Sequence, residues 1–371
     1  MNIGILKEDP KRERRIALTP AAVHSLISEG ATIYIEKDAG EAAHFSNSKY
    51  EEVGAKIVYT SDEIYGRSEI ILKVATPTES EIERMLDSQV LFSALHLAVA
   101  KPKILESLLQ KKICGVAIEL LEDGEGGMPI LQAMSEIAGQ MSIQVAGRYL
   151  ESNNNGRGIL LGGLTAVPPA SVVILGAGTV GQAAARMALG VGAQVIVLDK
   201  DLERLRSIEQ RFDYRIITGI VNEYNIRKAL KFTDVLIGAV LIKGEKAPHL
   251  VSEEMVKTMK PGAVLIDVSI DQGGCIETSR PTTLENPVYV MHDVIHYCVP
   301  NMPANVARSA TYALTNSLLP YLSDIVSSGI ENAIKLNIGL SKGICTFKNR
   351  CTQLSIAKRF GVEYSEINSL L

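Results

Sequence analysis

A handful of residues in this chain have the types and spacing that chemistry requires. Gly176, Gly178 and Gly181 are spaced G-x-G-x-x-G, with Thr179 and Val180 between the last two. In a turn that cradles a pyrophosphate, the first glycine permits the tight bend and the second lets the phosphate approach the backbone. The third lets the next helix pack on its strand, with the helix N-terminus toward the phosphates. Asp199 follows roughly 20 residues later, where an acid accepts hydrogen bonds from both ribose hydroxyls and repels a 2′-phosphate. The pattern therefore points to a dinucleotide, and to NAD over NADP. The plainer reading is a glycine turn in an unrelated α/β sheet.

Other groups have open readings. Arg12, Arg14 and Arg15 crowd one loop; they form either a solvated basic patch or a fork that clamps a carboxylate. Lys73 sits in an apolar run, where an ammonium needs a partner unless its stem snorkels to water. His96 directly follows an apolar run, the place for a proton shuttle or for a hydrogen-bonded structural histidine. Asp271 precedes Gly273 and Gly274, and either orients a reacting group or closes an Asx turn.

These residues fall on a regular succession of elements. Residues 172–175 read as a strand, 179–189 as a small-residue helix and 194–198 as the next strand, so the glycines lie between a strand and a helix. Before them, residues 2–6, 31–36, 69–74, 90–94 and 115–120 read as strands. Thr19 and Pro20 mark a helix start. Residues 131–149 carry apolar side chains at helical spacing and read as a long helix bridging two domains. After Asp199 come a helix over 201–210, buried strands over 235–240 and 263–268, and a last strand over 288–291. Gly238, Gly244 and Gly273 suggest mobile loops. Helices over 307–327, 331–336 and on to residue 371 have no strand of their own and are expected to return to the first domain. Parallel α/β sheets place ligands at the carboxyl ends of their strands, which is where Lys73, His96 and Asp271 fall.

The expected fold is thus α/β, with two Rossmann-like domains. A doubly wound parallel sheet that binds NAD (131–304) is inserted into a discontinuous catalytic α/β domain (1–130 and 305–371). At 371 residues the chain exceeds one typical core. A net charge of −4 gives no broad basic surface for nucleic acid. The sequence has neither an apolar run long enough to span a bilayer nor a signal-peptide core at residues 1–15, MNIGILKEDPKRERR. Five unpaired-looking cysteines argue for reduced thiols in a cytoplasm, and against staples or a metal site.

Seven motifs in order, RRIALTP (14–20), ALHLA (94–98), AMSEIAGQ (133–140), GAGTVG (176–181), IDQGG (270–274), SRPTT (279–283) and VPNMP (299–303), resemble the alanine dehydrogenase family nearly end to end. That family includes the dinucleotide-binding subunit of proton-translocating transhydrogenase. The resemblance implies that Arg15 holds a substrate carboxylate, His96 is the acid/base and Asp271 lies near the reacting centre. It also implies that Ser135 and Asn301 line the nicotinamide pocket and Asp199 binds ribose. The implied activity interconverts L-alanine with pyruvate and ammonia using NAD, in a cytoplasmic homo-hexamer with a cleft between its domains. Two departures stand out. The family pattern K-V-K-E-P is K-V-A-T-P at 73–77, so the family's substrate lysine falls on Ala75, and residues 304–310, ANVARSA, differ from the usual run. Lys73 lies on the same strand face, about 7 Å back along the chain. Either Lys73 takes over that role or the substrate is a different oxo acid or imine. A non-catalytic NAD-binding homologue and a transhydrogenase-type subunit with a membrane partner are the other readings.

Overall fold

The computed structural model describes residues 1–240 and 247–371; Gly244 lies outside them. The chain divides into two compact units, Met1–Met134 with Val306–Leu371, and Ser135–Asn305. The division falls inside the helix Pro129–Tyr149.

The described residues of the first unit form an eight-stranded sheet. Its strands are β1 (Asn2–Ile5), β2 (Thr32–Glu36), β3 (Lys56–Val58), β4 (Ile70–Leu72), β5 (Val90–Ser93) and β6 (Cys114–Ala117), joined later by β14 (Ile344–Phe347) and β15 (Arg350–Cys351). The order is β15-β14-β6-β5-β4-β1-β2-β3, parallel from β6 to β3. Ile70, Ile71 and Leu72 are all buried because helices cover both faces. Ile70 and Leu72 join one core and Ile71 the other, the alternation a strand imposes.

Leu314, Leu318, Tyr321, Leu322 and Ile325 of the helix Ala307–Ser328 fill the first of these cores. Each buried side chain contributes about 1.5–3 kcal/mol before its entropy cost. Thr311 and Thr315 of that helix accept the Ile16 and Thr19 amides at 3.2 and 3.1 Å. The C-terminal segment is thereby part of the first unit, and the second unit is an insertion.

The C-terminal segment does contain strands, contrary to the expectation of helices alone. β14 pairs antiparallel with β6, and β15 folds back on β14. The turn residues Lys348 and Asn349 have φ of 46° and 66°, the left-handed geometry of a tight hairpin.

In the second unit the strands are β7 (Ser171–Leu175), β8 (Gln194–Asp199), β9 (Ile217–Ile220), β10 (Val235–Gly238), β11 (Val264–Asp267), β12 (Val288–Met291) and β13 (Val294–Tyr297). Their order is β12-β13-β11-β10-β7-β8-β9. β12 is not the last strand of this half. The two-residue turn His292–Asp293, both at positive φ, sends the chain back as β13, and β13 rather than β12 pairs parallel with β11.

Both sheets are doubly wound. In each, the chain runs outward over three strands, returns to the other side of the first and continues. That leaves a crevice at the carboxyl ends of β1 and β4 in one unit and of β7 and β10 in the other, the switch points where such sheets bind ligands.

Candidate active site

In the first unit, the β1 and β4 loops meet across the switch point through a buried carboxylate. Glu8 Oε2 lies 2.8 Å from Lys73 Nζ, while Oε1 accepts the Val74 and Ala75 amides at 2.6 and 3.2 Å. Glu81 Oε1 is 3.0 Å from the same ammonium. Burial pushes the Glu8 carboxyl up despite the pull of Lys73. At Lys73 burial pulls the other way, but the two carboxylates outweigh it and hold the ammonium above its ordinary range. At Glu81, Lys73 and the Thr78 amide overcome burial and hold the carboxyl low. Lys73 is 7% exposed. It does not snorkel to solvent, and a substrate would have to compete with Glu8 and Glu81 for it.

The 73–78 segment is braced from β5 as well. Ser93 Oγ donates to the Ala75 carbonyl at 2.7 Å, and Thr76 Oγ1 to the Ala94 carbonyl at 2.6 Å. Ala75 is half-buried on this fixed backbone.

Arg15 turns inward. Glu13, itself 2% exposed, accepts from Arg15 Nε at 2.8 Å and from Nη2 at 2.6 Å. Nη1 lies 2.9 Å from Met134 Sδ. The bidentate pair fixes the plane of the guanidinium. Of the other two arginines of this loop, Arg14 donates from Nε to the Pro10 carbonyl at 3.1 Å and Arg12 is exposed. A cavity of about 170 Å³ is lined by Lys7, Glu8, Glu13, Arg14, Arg15 and Asp38 among others. Neither His96 nor Ala75 is in its walls.

His96 stands just beyond β5, with its ring more than half exposed and its φ at +43°. A non-glycine residue in this region is strained and needs a local cause. The cause here is Glu119, at the end of neighbouring β6, whose Oε1 accepts the His96 amide at 2.7 Å.

In the second unit the glycine turn takes the form expected of it. Gly176 has φ +108°. A Cβ at Gly181 would lie 1.9 Å from the Gly176 oxygen, so only glycine lets the helix Thr179–Gly190 sit this close to β7. Gly178, the helix N-cap, gives no side-chain hydrogen bond to the first-turn amides, and a Cβ there would meet nothing within 4 Å. Backbone amides at a helix N-terminus that face open space suit a pyrophosphate. Asp199, at the end of β8, accepts the Ala177 amide at 2.6 Å and the Asp201 amide at 2.8 Å. It therefore braces the turn from the position where an acid meets the ribose. These residues fit a nicotinamide dinucleotide.

Asp271 is exposed on the 3₁₀ turn Val268–Gln272 that follows β11. Buried Asp267 caps this turn, accepting the Ser269 amide at 3.1 Å and the Cys275 and Ile276 amides at 3.0 and 3.2 Å. Burial pushes the Asp267 carboxyl up against the pull of those amides. Asn301 has φ +59° just before the 3₁₀ helix Met302–Val306, and Ser135 is half-buried on the helix Pro129–Tyr149. Arg308, in the divergent 304–310 run, stacks on Phe45 and donates to the His44 carbonyl at 2.8 Å.

Sequence reasoning passed over Glu8, Glu13, Glu119 and Asp267. Glu119 and Asp267 had a signal, since each follows an apolar run as His96 does. The two loop glutamates lay in a charged stretch and had none. All five cysteines are buried and unpaired. Among the described residues, no cluster of His, Cys, Asp or Glu is arranged to hold a metal, and no helix is long and apolar enough to cross a membrane.

A doubly wound sheet with a phosphate-binding glycine turn, inserted into a second doubly wound sheet that presents a fixed arginine and a histidine, defines a two-domain dinucleotide-dependent oxidoreductase. Comparison with known proteins narrows the class. The family model for the N-terminal domain of alanine dehydrogenase/PNT matches residues 4–138, and that for the C-terminal domain matches residues 142–353. Alanine dehydrogenase from Methanococcus maripaludis is 45% identical over 372 residues, covering 100% of both chains. The Mycobacterium tuberculosis enzyme of the same name is 41% identical over 371 residues, again covering 100% of both. A solved L-alanine dehydrogenase superposes with a TM-score of 0.93 at 40% identity, covering 97% of this chain and 99% of that one. The chain belongs to the alanine dehydrogenase/PNT family.

Proposed function

We propose that this chain is an NAD-dependent dehydrogenase interconverting L-alanine with pyruvate and ammonia. Full-length similarity to relatives named for that activity supports the substrate. The observation that carries the chemistry is in the first unit, where a guanidinium locked by Glu13 lies in the loop that follows β1 and an exposed histidine held on a strained backbone follows β5, with β4 between the two strands.

NAD, held by the 176–181 turn and Asp199, supplies the hydride acceptor in the oxidative direction. Arg15 orients the substrate by its carboxylate. Glu13 holds two of the guanidinium nitrogens and so fixes the plane in which the group meets a carboxylate. Fixing the substrate in this way accounts for most of the gain, since positioning lowers barriers without new bonds. His96 takes the proton from the amine or the attacking water and returns it in the reverse direction. Asp271, on its capped turn, and Ser135 and Asn301 are assigned to the nicotinamide side. Lys73 is assigned to the Glu8–Glu81 network instead of the substrate.

One observation favours a second reading within the same class. Residue 75 has its amide held by Glu8 and its carbonyl by Ser93, yet presents only a methyl group. If the reaction relied on a cation there, a larger or differently charged oxo acid would be the better substrate. We also propose a cytoplasmic homo-hexamer, for which light scattering should give the mass of six chains.

The test of the assignment is His96→Ala. Turnover of alanine should vanish while NADH binding stays within twofold. Surviving turnover would move the proton transfer to another group.

A further inference from the structure

We propose that Glu119 is a positioning residue for His96, holding the strained backbone with one carboxylate oxygen and the imidazole Nδ1–H when His96 takes up a proton. This rests on His96 being the proton carrier. Glu119 is the second residue of the 3₁₀ turn Ile118–Leu120, directly after β6, and β6 pairs with the strand that leads to His96. Its Oε1 accepts the His96 amide at 2.7 Å and lies 3.7 Å from Nδ1. Its Oε2 is buried and has no hydrogen-bond partner among the described residues.

A buried, unpartnered carboxylate oxygen is costly and calls for a donor. The adjacent donor is the imidazole, whose Nδ1 already lies 3.7 Å from the other oxygen of the same carboxylate, so a small rotation of the ring brings Nδ1–H to hydrogen-bond distance of Glu119. That bond selects the tautomer. With the proton on Nδ1 directed at Glu119, Nε2 is left as the base. When Nε2 takes the substrate proton, the imidazolium keeps its second N–H on Glu119, and the carboxylate stabilises the new charge without being protonated itself.

Among the described residues, the thiols packed near Glu119 do not supply this charge. From β14, Cys345 faces Glu119; burial, and then Glu119, push its thiol well up. Beside Cys345, burial also raises Cys114, to about 12, and Cys351. These thiols stay neutral through the range of an assay. The carboxylates of Glu8, in the loop after β1, and of Glu81, on the helix Glu79–Arg84, are committed to Lys73.

The test is Glu119→Gln, which keeps an oxygen for the His96 amide and removes the charge. We expect kcat to fall by about 10–100-fold with the NADH dissociation constant unchanged. The acidic limb of the kcat/KM–pH profile should move to lower pH, since removing a negative charge beside the ring removes what favours its protonated form. Glu119→Asp should recover part of both effects. A lower kcat with an unmoved acidic limb would leave Glu119 a backbone brace and overturn the proposal, as would unchanged kinetics. An NMR titration of the His96 ring, assigned with His96→Ala, reads the same shift without turnover. It decides the proposal even if alanine proves not to be the substrate. Full activity in His96→Ala would instead remove the assignment on which the proposal stands.

Discussion

Alanine at position 178 and alanine at position 181 should fail in different ways, although the two residues are three apart in one turn. At Gly181 the added Cβ would sit 1.9 Å from the Gly176 oxygen and 3.4 Å from Ile174 Cγ2. The oxygen contact must open to at least 3.0 Å, so the helix Thr179–Gly190 must shift by about 1.1 Å. Overpacking of this kind costs about 1–3 kcal/mol. Alanine's better helix propensity returns at most about 1 kcal/mol, so the clash prevails. In a unit of this size that lowers its melting temperature by several degrees, about 2–4 °C per kcal/mol. The shift also carries the first-turn amides away from a phosphate, and each charge-assisted bond lost costs about 1.5–3 kcal/mol. Gly178→Ala meets no protein atom within 4 Å, and its φ of −73° suits alanine. Stability should stay within about 0.5 kcal/mol of the wild type. The methyl group nevertheless occupies the space of the pyrophosphate, so NADH affinity should fall by roughly 100-fold, the equivalent of about 2.7 kcal/mol. Thermal unfolding followed by circular dichroism and titration of NADH fluorescence read the two quantities separately. Wild-type NADH binding by Gly178→Ala would refute the phosphate-cradle reading. Equal loss of stability in both variants would refute the packing argument.

Three further outcomes follow from the same geometry. Lys73→Met should destabilise the first unit by about 3–5 kcal/mol at pH 7, because it leaves Glu8 buried and charged. Burial already holds the Glu8 carboxyl above 4.5, so its protonation in acid removes the stranded charge, and urea melts should show the penalty shrinking as pH falls through that range. His296, fully buried between Thr278 and the Val294 carbonyl, is held below its ordinary 6.5 by burial. The unfolded chain therefore binds a proton that the fold refuses, and stability is lost as pH falls below about 6.5; His296→Gln should flatten that part of a stability–pH curve. Asp199→Ala removes the acceptor of the Ala177 amide and the acid assigned to the ribose. It should weaken NADH binding and narrow the preference for NADH over NADPH, and an unchanged preference in competitive titrations would take Asp199 out of the site.

The second unit was legible where its chemistry is local. The turn, the helix and the acid that braces the turn lie within residues 171–199, so their residue types and spacing can be read along one short segment. The strands that escaped notice are hairpin partners. ICTF is four residues long, and its main partner, β6, lies more than 200 positions earlier; no period can emerge from so short a run. The His292–Asp293 turn lacks the glycine that usually marks such hairpins, and so β13 was hidden. At the candidate site, the position of His96 at a strand end was readable, but its partner was not, since β5 and β6 become neighbours only in the sheet. Lys73 shows the same limit. Its apolar surroundings signalled a need for a partner, but only the switch point brings Glu8 across from β1.

The most direct measurement is NADH oxidation with pyruvate and ammonium, for the natural chain beside Ala75→Lys. The account predicts turnover by the natural chain at ordinary dehydrogenase rates, roughly 1–1000 per second, with no need of a cation at position 75. A nearly silent natural chain and an active Ala75→Lys would contradict it, leaving the scaffold intact and the natural substrate some other oxo acid.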